Sequence, residues 1–468
     1  MTDWFDGVWL SRVQFAFTIT FHIVFPAFTI GLSAFVATLH LRHLRTGDPI
    51  FLRLARYWTK IFAVSFAMGV VSGIVLSYQF GTNWSRFSLV VGNVVGPLIG
   101  YEVLTAFFLE ATFLGIMLFG WDRVSPGMMA ASATAVAVGT LLSAFWILSA
   151  NSWMQFPAGH AVRDGIAYPV DWIAAIFNPT FPYRLAHMVT AAYLTTSIVV
   201  MAVGARHLLA SRFIDESRIM LRMGLGMALV LAPLQIVIGD LHGLATRDHQ
   251  PAKLAAIEGH WDGSHPADLL LFALPNAAEE RNDYAIGIPR LASVIVTHDW
   301  NGLFKGLKDF APADRPPVWP VFFSFRLMVG LGVLMVALAA WGGWHWLRGR
   351  LDAATGFLTA AAWSWPMGFL AIIAGWMVTE IGRQPWLATG LLRTADAASP
   401  IEPMRVAVSL ALFVVVYGFV FTAGILYVNR LIHAGPTPDV THAEPGVPSS
   451  PLSASVDAVR AATARSET

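Results

Sequence analysis

Nine stretches of about 20 predominantly apolar residues set the limits on this chain, at roughly 13–40, 58–80, 94–120, 128–150, 184–206, 219–240, 321–346, 357–380 and 404–429. Each is long enough to cross the hydrocarbon core of a bilayer as a helix. Backbone amides facing lipid must be satisfied within the segment, and none of the nine shows the alternation of a membrane barrel strand, so all are predicted helices. The charge content agrees: 30 Lys+Arg and 29 Asp+Glu in 468 residues is about half the share of a soluble domain. The expected fold is an all-α integral membrane protein, nine transmembrane helices in a bundle. A net charge of +1 argues against nucleic acid as a partner, because phosphate binding needs a concentrated basic patch. With no Cys in the chain, disulfides, thiolate nucleophiles, iron–sulfur clusters and Cys-held metals are excluded. Any metal must be held by His, Met, Asp or Glu. The acidic start MTDWFDG and the long apolar segment after it do not suit a signal peptide, so that segment is expected to remain as the first span.

The organisation follows from these spans. Residues 1–240 carry spans one to six, 241–320 a long connection, 321–430 spans seven to nine, and 431–468 a tail. Basic residues gather after span one (Arg42, Arg45, Arg53, Arg56), span five (Arg206, Arg212, Arg218) and span seven (Arg348, Arg350), whereas Arg86 stands alone between spans two and three. The positive-inside rule then places the N-terminus and the 241–320 connection outside and the C-terminus in the cytoplasm. The connection holds 17 of the 59 charges, yet has enough apolar residues for an ordered cap. The tail from Gly435, rich in Pro, Ser, Thr and Ala, is read as disordered.

An ionisable side chain in hydrocarbon is costly, so the few within the spans are the first candidates for function. His187 and Met328 lie at similar depths in spans five and seven. Such a pair can fill both axial positions of a haem iron; taken singly, each is also an ordinary interfacial His or core Met. His22 sits deep in ITFHIVFP, either hydrogen-bonded between helices or as a single axial ligand. Glu380 closes span eight, with Trp376 one turn earlier, and could ligate iron or pair with Arg383. Glu102 and Glu110 in span three are separated by ~12 Å along a regular helix and ~80° around it. That spacing suits successive stations of a proton relay, or two carboxylates bonded to neighbouring helices. Lys60 reads as a snorkelling cation and Asp240 as a helix-end residue. Lys253 and Glu258, in KLAAIE of the long connection, read by themselves as part of a solvated helix.

Together, LSRVQFAFTITFH, FGTNWS, AFFLEATF, FGWDR, NSWMQ, KLAAIE, FRLMV and GRQPW, in this order, resemble subunit I of the cytochrome bd family of bacterial quinol oxidases over residues 8–430. The resemblance implies that His187 and Met328 ligate a low-spin b haem. His22 and Glu380 would ligate two high-spin haems at the oxygen site, one of them haem b and the other haem d or a further haem b; which takes which ligand is left open. Arg326, Trp376 and Arg383 would lie beside haem groups, Lys253 and Glu258 in the quinol site of the family's Q-loop, and Glu102 and Glu110 on its proton path. The run VIVTHDWNGLFKGLKDFAPADRPP leads straight into span seven without the large insertion of long-loop members, and ITFHIVFPAFTIG looks like the cyanide-insensitive branch.

The implied protein is a multi-pass subunit of the bacterial inner membrane, paired with a subunit II and with small single-helix subunits as further candidates. It would oxidise quinol at the outer face, with Glu258 accepting a proton and Lys253 donating to the quinol oxygen, and reduce O₂ to water with protons arriving from the cytoplasm past Glu110 and Glu102. The rival reading is a cofactor-free proton-coupled transporter that uses the same carboxylates.

Overall fold

The structure, a computed structural model, describes residues 6–436. The tail predicted to be disordered lies, from residue 437 onward, outside the described residues. Among the described residues, eight continuous helices are long and apolar enough to cross a membrane, and one bent pair, counted as a single span, makes nine. In chain order these are span one (Gly7–Thr46), two (Pro49–Thr82), three (Ser85–Phe119), four (Pro126–Gln155), five (Phe181–Leu209), six (Ile214–His249), seven (Val318–Leu347), eight (Thr355–Trp363 with Pro366–Ile381) and nine (Pro403–Ala434). The helices extend past the apolar stretches, and between spans one and two their polar ends are capped. Gly47, at φ 69°, closes span one in the left-handed region. Asp48 then accepts from the Ile50 N–H at 2.9 Å with Pro49 in the first turn, so two residues suffice to reverse the chain.

Span five is the central helix, with an unbroken buried run from Leu194 to Ala205. In lipid, helices associate by close packing rather than by escape from water, and small residues permit it. Gly204 faces the Leu221 N–H and Ser217 carbonyl, and Gly224 faces the Ser197 carbonyl and Met201 N–H, so spans five and six touch backbone to backbone. A second core joins spans one and two around Leu32, Phe35, Leu54, Trp58 and Phe62.

Two spans depart from the regular helices expected of them. Span eight bends by 41° between its two parts, because Pro366 lacks a backbone donor and disfavours helical geometry in the residue before it. Span three carries a π-helical segment over Val103–Phe107, where the Phe108 N–H reaches back to the Val103 carbonyl. The Thr105 hydroxyl donates to the Tyr101 carbonyl at 2.7 Å and is itself held by Trp146 Nε1 at 2.9 Å. It thus offers that carbonyl a partner other than the usual backbone N–H.

Between spans six and seven, a helix over Pro251–Glu258 follows almost directly on span six. An antiparallel hairpin, Leu269–Asn276 with Arg281–Ile288, and a short helix at Leu291–Thr297 come next. Small hairpins at 160–169 and 386–393 lie in the connections after spans four and eight.

Candidate functional site

The Pro251–Glu258 helix is buried, contrary to the solvated helix its composition suggests. Lys253 is 5% and Glu258 6% exposed, and the four residues between them are buried as well. An Ala-rich helix with one cation and one carboxylate has no exposed face of its own to keep, and here it is packed beneath the end of the bundle. Its two ionisable side chains go to different partners. Lys253 Nζ donates to Gln155 Oε1 at 2.5 Å and Gln250 Oε1 at 2.9 Å. Glu258 faces Arg326 of span seven, and its Oε2 finds no partner among the described residues. Burial pushes the Lys253 ammonium well below the ordinary lysine range; nearby Arg184 adds to this and Glu380 opposes it. Burial raises the Glu258 carboxyl, with Arg326 opposing.

Gln155, fully buried at the end of span four, joins Lys253 to Glu380. Its Nε2 reaches Glu380 Oε1 at 3.4 Å, and Asn151, one turn earlier, donates to the same oxygen at 2.9 Å. Arg383 pairs with the other Glu380 oxygen, and Arg184 of span five donates to Asn151. The Glu380–Arg383 pair, one of the two readings of that carboxylate, is therefore present, within a network that also contains Lys253. Arg326 serves a different purpose. It donates to the Ile257 carbonyl at 2.8 Å and the Leu270 carbonyl at 2.7 Å, with its guanidinium 3.3 Å from the Phe322 ring centroid. These bonds fasten the 251–258 helix and the hairpin to span seven.

The remaining residues lie in separate helix pairs. His187 sits against span six, where a Cβ on Gly239 would lie 3.5 Å from its Cε1, and its ring is 5.4 Å from that of His242. Met328 lies against span eight, where a Cβ on Gly375 would come within 3.0 Å of its sulfur. His22 contacts Ser72 Oγ at 3.2 Å through Nδ1, and a Cβ on Gly73 would lie 3.0 Å from its Cε1. Span three changes most from expectation. A π turn closes on the fifth residue and rotates the chain less per residue, so the ~80° offset of a regular helix is reduced and both carboxylates meet span four. Glu102 accepts from Ser143 Oγ at 2.7 Å. Glu110, 5% exposed, occupies the notch at Gly139, where a Cβ would lie 2.7 Å from its Cγ.

The unpaired buried atoms fit an anionic, iron-bearing prosthetic group such as haem. His187 Nδ1, Trp376 Nε1, Arg184 Nε, and Arg383 Nε and Nη1 are all buried without partners among the described residues. Buried donors left so are costly, and carboxylates are the natural acceptors for guanidinium forks. Haem iron needs only one or two protein ligands. Among the described residues, no three His, Asp or Glu side chains cluster to hold a bare metal ion.

The sequence matches the family described as cytochrome bd terminal oxidase subunit I over residues 10–436. It is 33% identical to the cytochrome bd-II ubiquinol oxidase subunit 1 of Escherichia coli K12, covering 92% of this chain and 97% of that one. It is 36% identical to the cytochrome bd ubiquinol oxidase subunit 1 of Bacillus subtilis 168, covering 84% and 86%. The fold superposes on the bd oxidase structure from Geobacillus thermodenitrificans with a TM-score of 0.85 at 31% identity, over 92% of this chain and 99% of that one. The chain belongs to the cytochrome bd terminal oxidase subunit I family. The transporter reading finds no support, since the family and these relatives are oxidases.

Asn151, Gln155, Gln250 and Arg184 escaped the sequence reading. Asn151 and Gln155 stand in NSWMQ, one of the motifs that carry the family resemblance. Their signal was there: two amides one helical turn apart at the end of an apolar span.

Proposed function

We infer that the protein is the haem-bearing subunit of a membrane terminal oxidase that takes electrons from quinol and reduces O₂ to water. The observation that carries this reading is the buried Lys253–Gln155–Glu380 network, beside arginine and tryptophan N–H groups that have no acceptor among the described residues. A hydroquinone beneath the 251–258 helix would meet an amine at Lys253 and a free carboxylate oxygen at Glu258. Lys253 orients the quinol oxygen. Glu258 accepts a phenolic proton, a task for which a raised carboxyl value is suited. Haem would be held by His187 and Met328 at the low-spin site and by His22 and Glu380 at the two high-spin positions, with Arg383 and Trp376 as donors to its periphery. Two b haems and a third of b or d type are proposed. Bound there, they supply electron transfer and oxygen binding.

Glu110 and Glu102 would convey protons for water formation along span four. With the N-terminus and the 241–320 loop outside, quinol protons leave on one side and substrate protons enter from the other, which separates charge without a pump. A subunit II partner completes the proposed enzyme in the bacterial inner membrane. Reduced-minus-oxidised absorption spectra and pyridine-haemochrome extraction of the purified protein test this reading. Haem bands reducible by quinol are expected, and a colourless, fully folded protein refutes it.

A further inference from the structure

The relay through Glu110 and Glu102 leaves the end of the bundle where spans one and three finish without an assigned proton donor. His40 lies there, 2% exposed, two turns before the close of span one. Its ring stacks on Trp121, in the turn after span three, at 5.6 Å between centroids and 28° between planes. Arg56 of span two places its guanidinium 4.7 Å from the same indole. His40 Nε2 is buried and has no partner among the described residues.

An aromatic filler would pack in this position without leaving a polar nitrogen unsatisfied, at a cost of about 1–3 kcal/mol. The surroundings give that nitrogen a use. Ser33, on the same face of span one and ~10 Å further in, is 1% exposed and shares a hydrogen bond of 3.0 Å with Thr140. Thr140 follows Gly139, whose notch holds the Glu110 side chain, and Glu110 Oε1 is also without a partner among the described residues. Ser33, Thr140 and Glu110 thus form one buried polar group, and His40 lies two helical turns along span one from it, a step that needs more than one bridging water. The titratable and charged groups facing His40 are His43 on its own helix and Arg56 on span two.

We propose that His40 is the proton-loading station for Glu110. It takes a proton at Nε2 from water at the end of the bundle and releases that proton through water beside Ser33 and Thr140 to the Glu110 carboxylate, which leaves the imidazole neutral for the next. This rests on the proposed relay through Glu110 and Glu102, and the test separates the two.

Fully reduced, haem-loaded enzyme with its partner subunit is mixed with O₂, and proton uptake is followed with a pH-indicator dye. His40→Phe keeps the stack on Trp121 and removes the exchangeable nitrogen; His40→Gln is the second variant should the first not accumulate. Uptake is expected to slow roughly 100-fold, with an unchanged reduced-minus-oxidised spectrum. Wild-type uptake in either variant overturns the proposal, as does slowing that comes with an altered spectrum. Glu110→Gln serves as the reference. If it slows uptake and the His40 variants do not, the loading role falls and the relay stands; if none of the three slows it, the relay falls and takes the loading role with it.

Discussion

Replacing Gln155 with Leu tests the junction between the proposed quinol site and Glu380. The substitution keeps most of the side-chain volume and removes the amide, so the helix end has no reason to repack. Four bonds disappear: the Lys253 donation at 2.5 Å, the Gln250 donation at 2.9 Å, and the Gln155 donations to Glu380 at 3.4 Å and to the Thr379 carbonyl at 3.5 Å. Gln250 retains the Gln155 backbone carbonyl at 3.1 Å, and Glu380 retains Asn151 and Arg383. The loss therefore falls mainly on Lys253, which is left with Gln250 as its one remaining acceptor in the network. A buried hydrogen bond to a charged group contributes about 1.5–3 kcal/mol. If Lys253 acts on quinol, kcat/KM for quinol should fall roughly 10- to 100-fold. The assay is O₂ consumption driven by quinol, set against consumption driven by a small reductant that bypasses the quinol site, with haem content measured in the same preparation. The bypass rate and haem content should hold. A quinol kcat/KM within about twofold of wild type, with haem intact, would refute the coupling.

Other substitutions examine the rest of the site. Because burial raises the Glu258 carboxyl and the base must be ionised to accept a proton, quinol kcat/KM should rise with pH through a limb above the ordinary carboxylate range; Glu258→Gln should lower the rate and remove that limb, and a pH profile with the limb intact counts against Glu258. Met328→Leu keeps volume but removes the thioether, so the low-spin signal should convert to high-spin or to another ligand set; an unchanged low-spin spectrum in fully loaded protein removes Met328 from the site. Gly139→Ala places a methyl 2.7 Å from Glu110 Cγ and should slow turnover as Glu110→Gln does, without loss of haem. Of the two relay carboxylates, Glu102→Gln alone is expected to disturb the high-spin spectrum as well as the rate, and equal spectral effects would contradict the proposed order.

The spans were legible because lipid demands that every backbone amide be satisfied within its own helix, which leaves a plain apolar length in the sequence. The bend in span eight could be read from Pro366. The π segment could not, since it depends on Thr105 taking the Tyr101 carbonyl while Trp146 holds the hydroxyl from another helix. That contact is tertiary, and it alters the angle between Glu102 and Glu110 that a regular helix predicts. The burial of Lys253 and Glu258 was hidden for a similar reason: KLAAIE carries no amphipathic pattern, and what covers it comes from spans four, seven and eight. Amides gave the weakest signal. Asn151 and Gln155 look like interfacial polar residues until Arg184, Lys253 and Glu380 are brought to them.

Span four links the two polar systems and also keeps them apart. Gln155 and Asn151, at its end, belong to the network around Lys253 and Glu380, whereas Ser143, Thr140 and Gly139 face the relay carboxylates and their neighbours. From Ser143 to Asn151, where that network begins, is ~12 Å along a helix. The intervening AFWILSA is apolar except for Ser149, whose hydroxyl is turned to the Ile176 carbonyl at 3.1 Å. On the proposed roles of Glu258 and Glu102, a proton released at the quinol site would meet along this stretch only Ser149, whose hydroxyl is already engaged. Charge separation in an oxidase that does not pump depends on such insulation, because each proton that slipped directly from the quinol site to the oxygen site would cancel one drawn from the opposite face. On the proposed reading, the side chains that make span four a membrane helix would also be those that keep release and uptake apart.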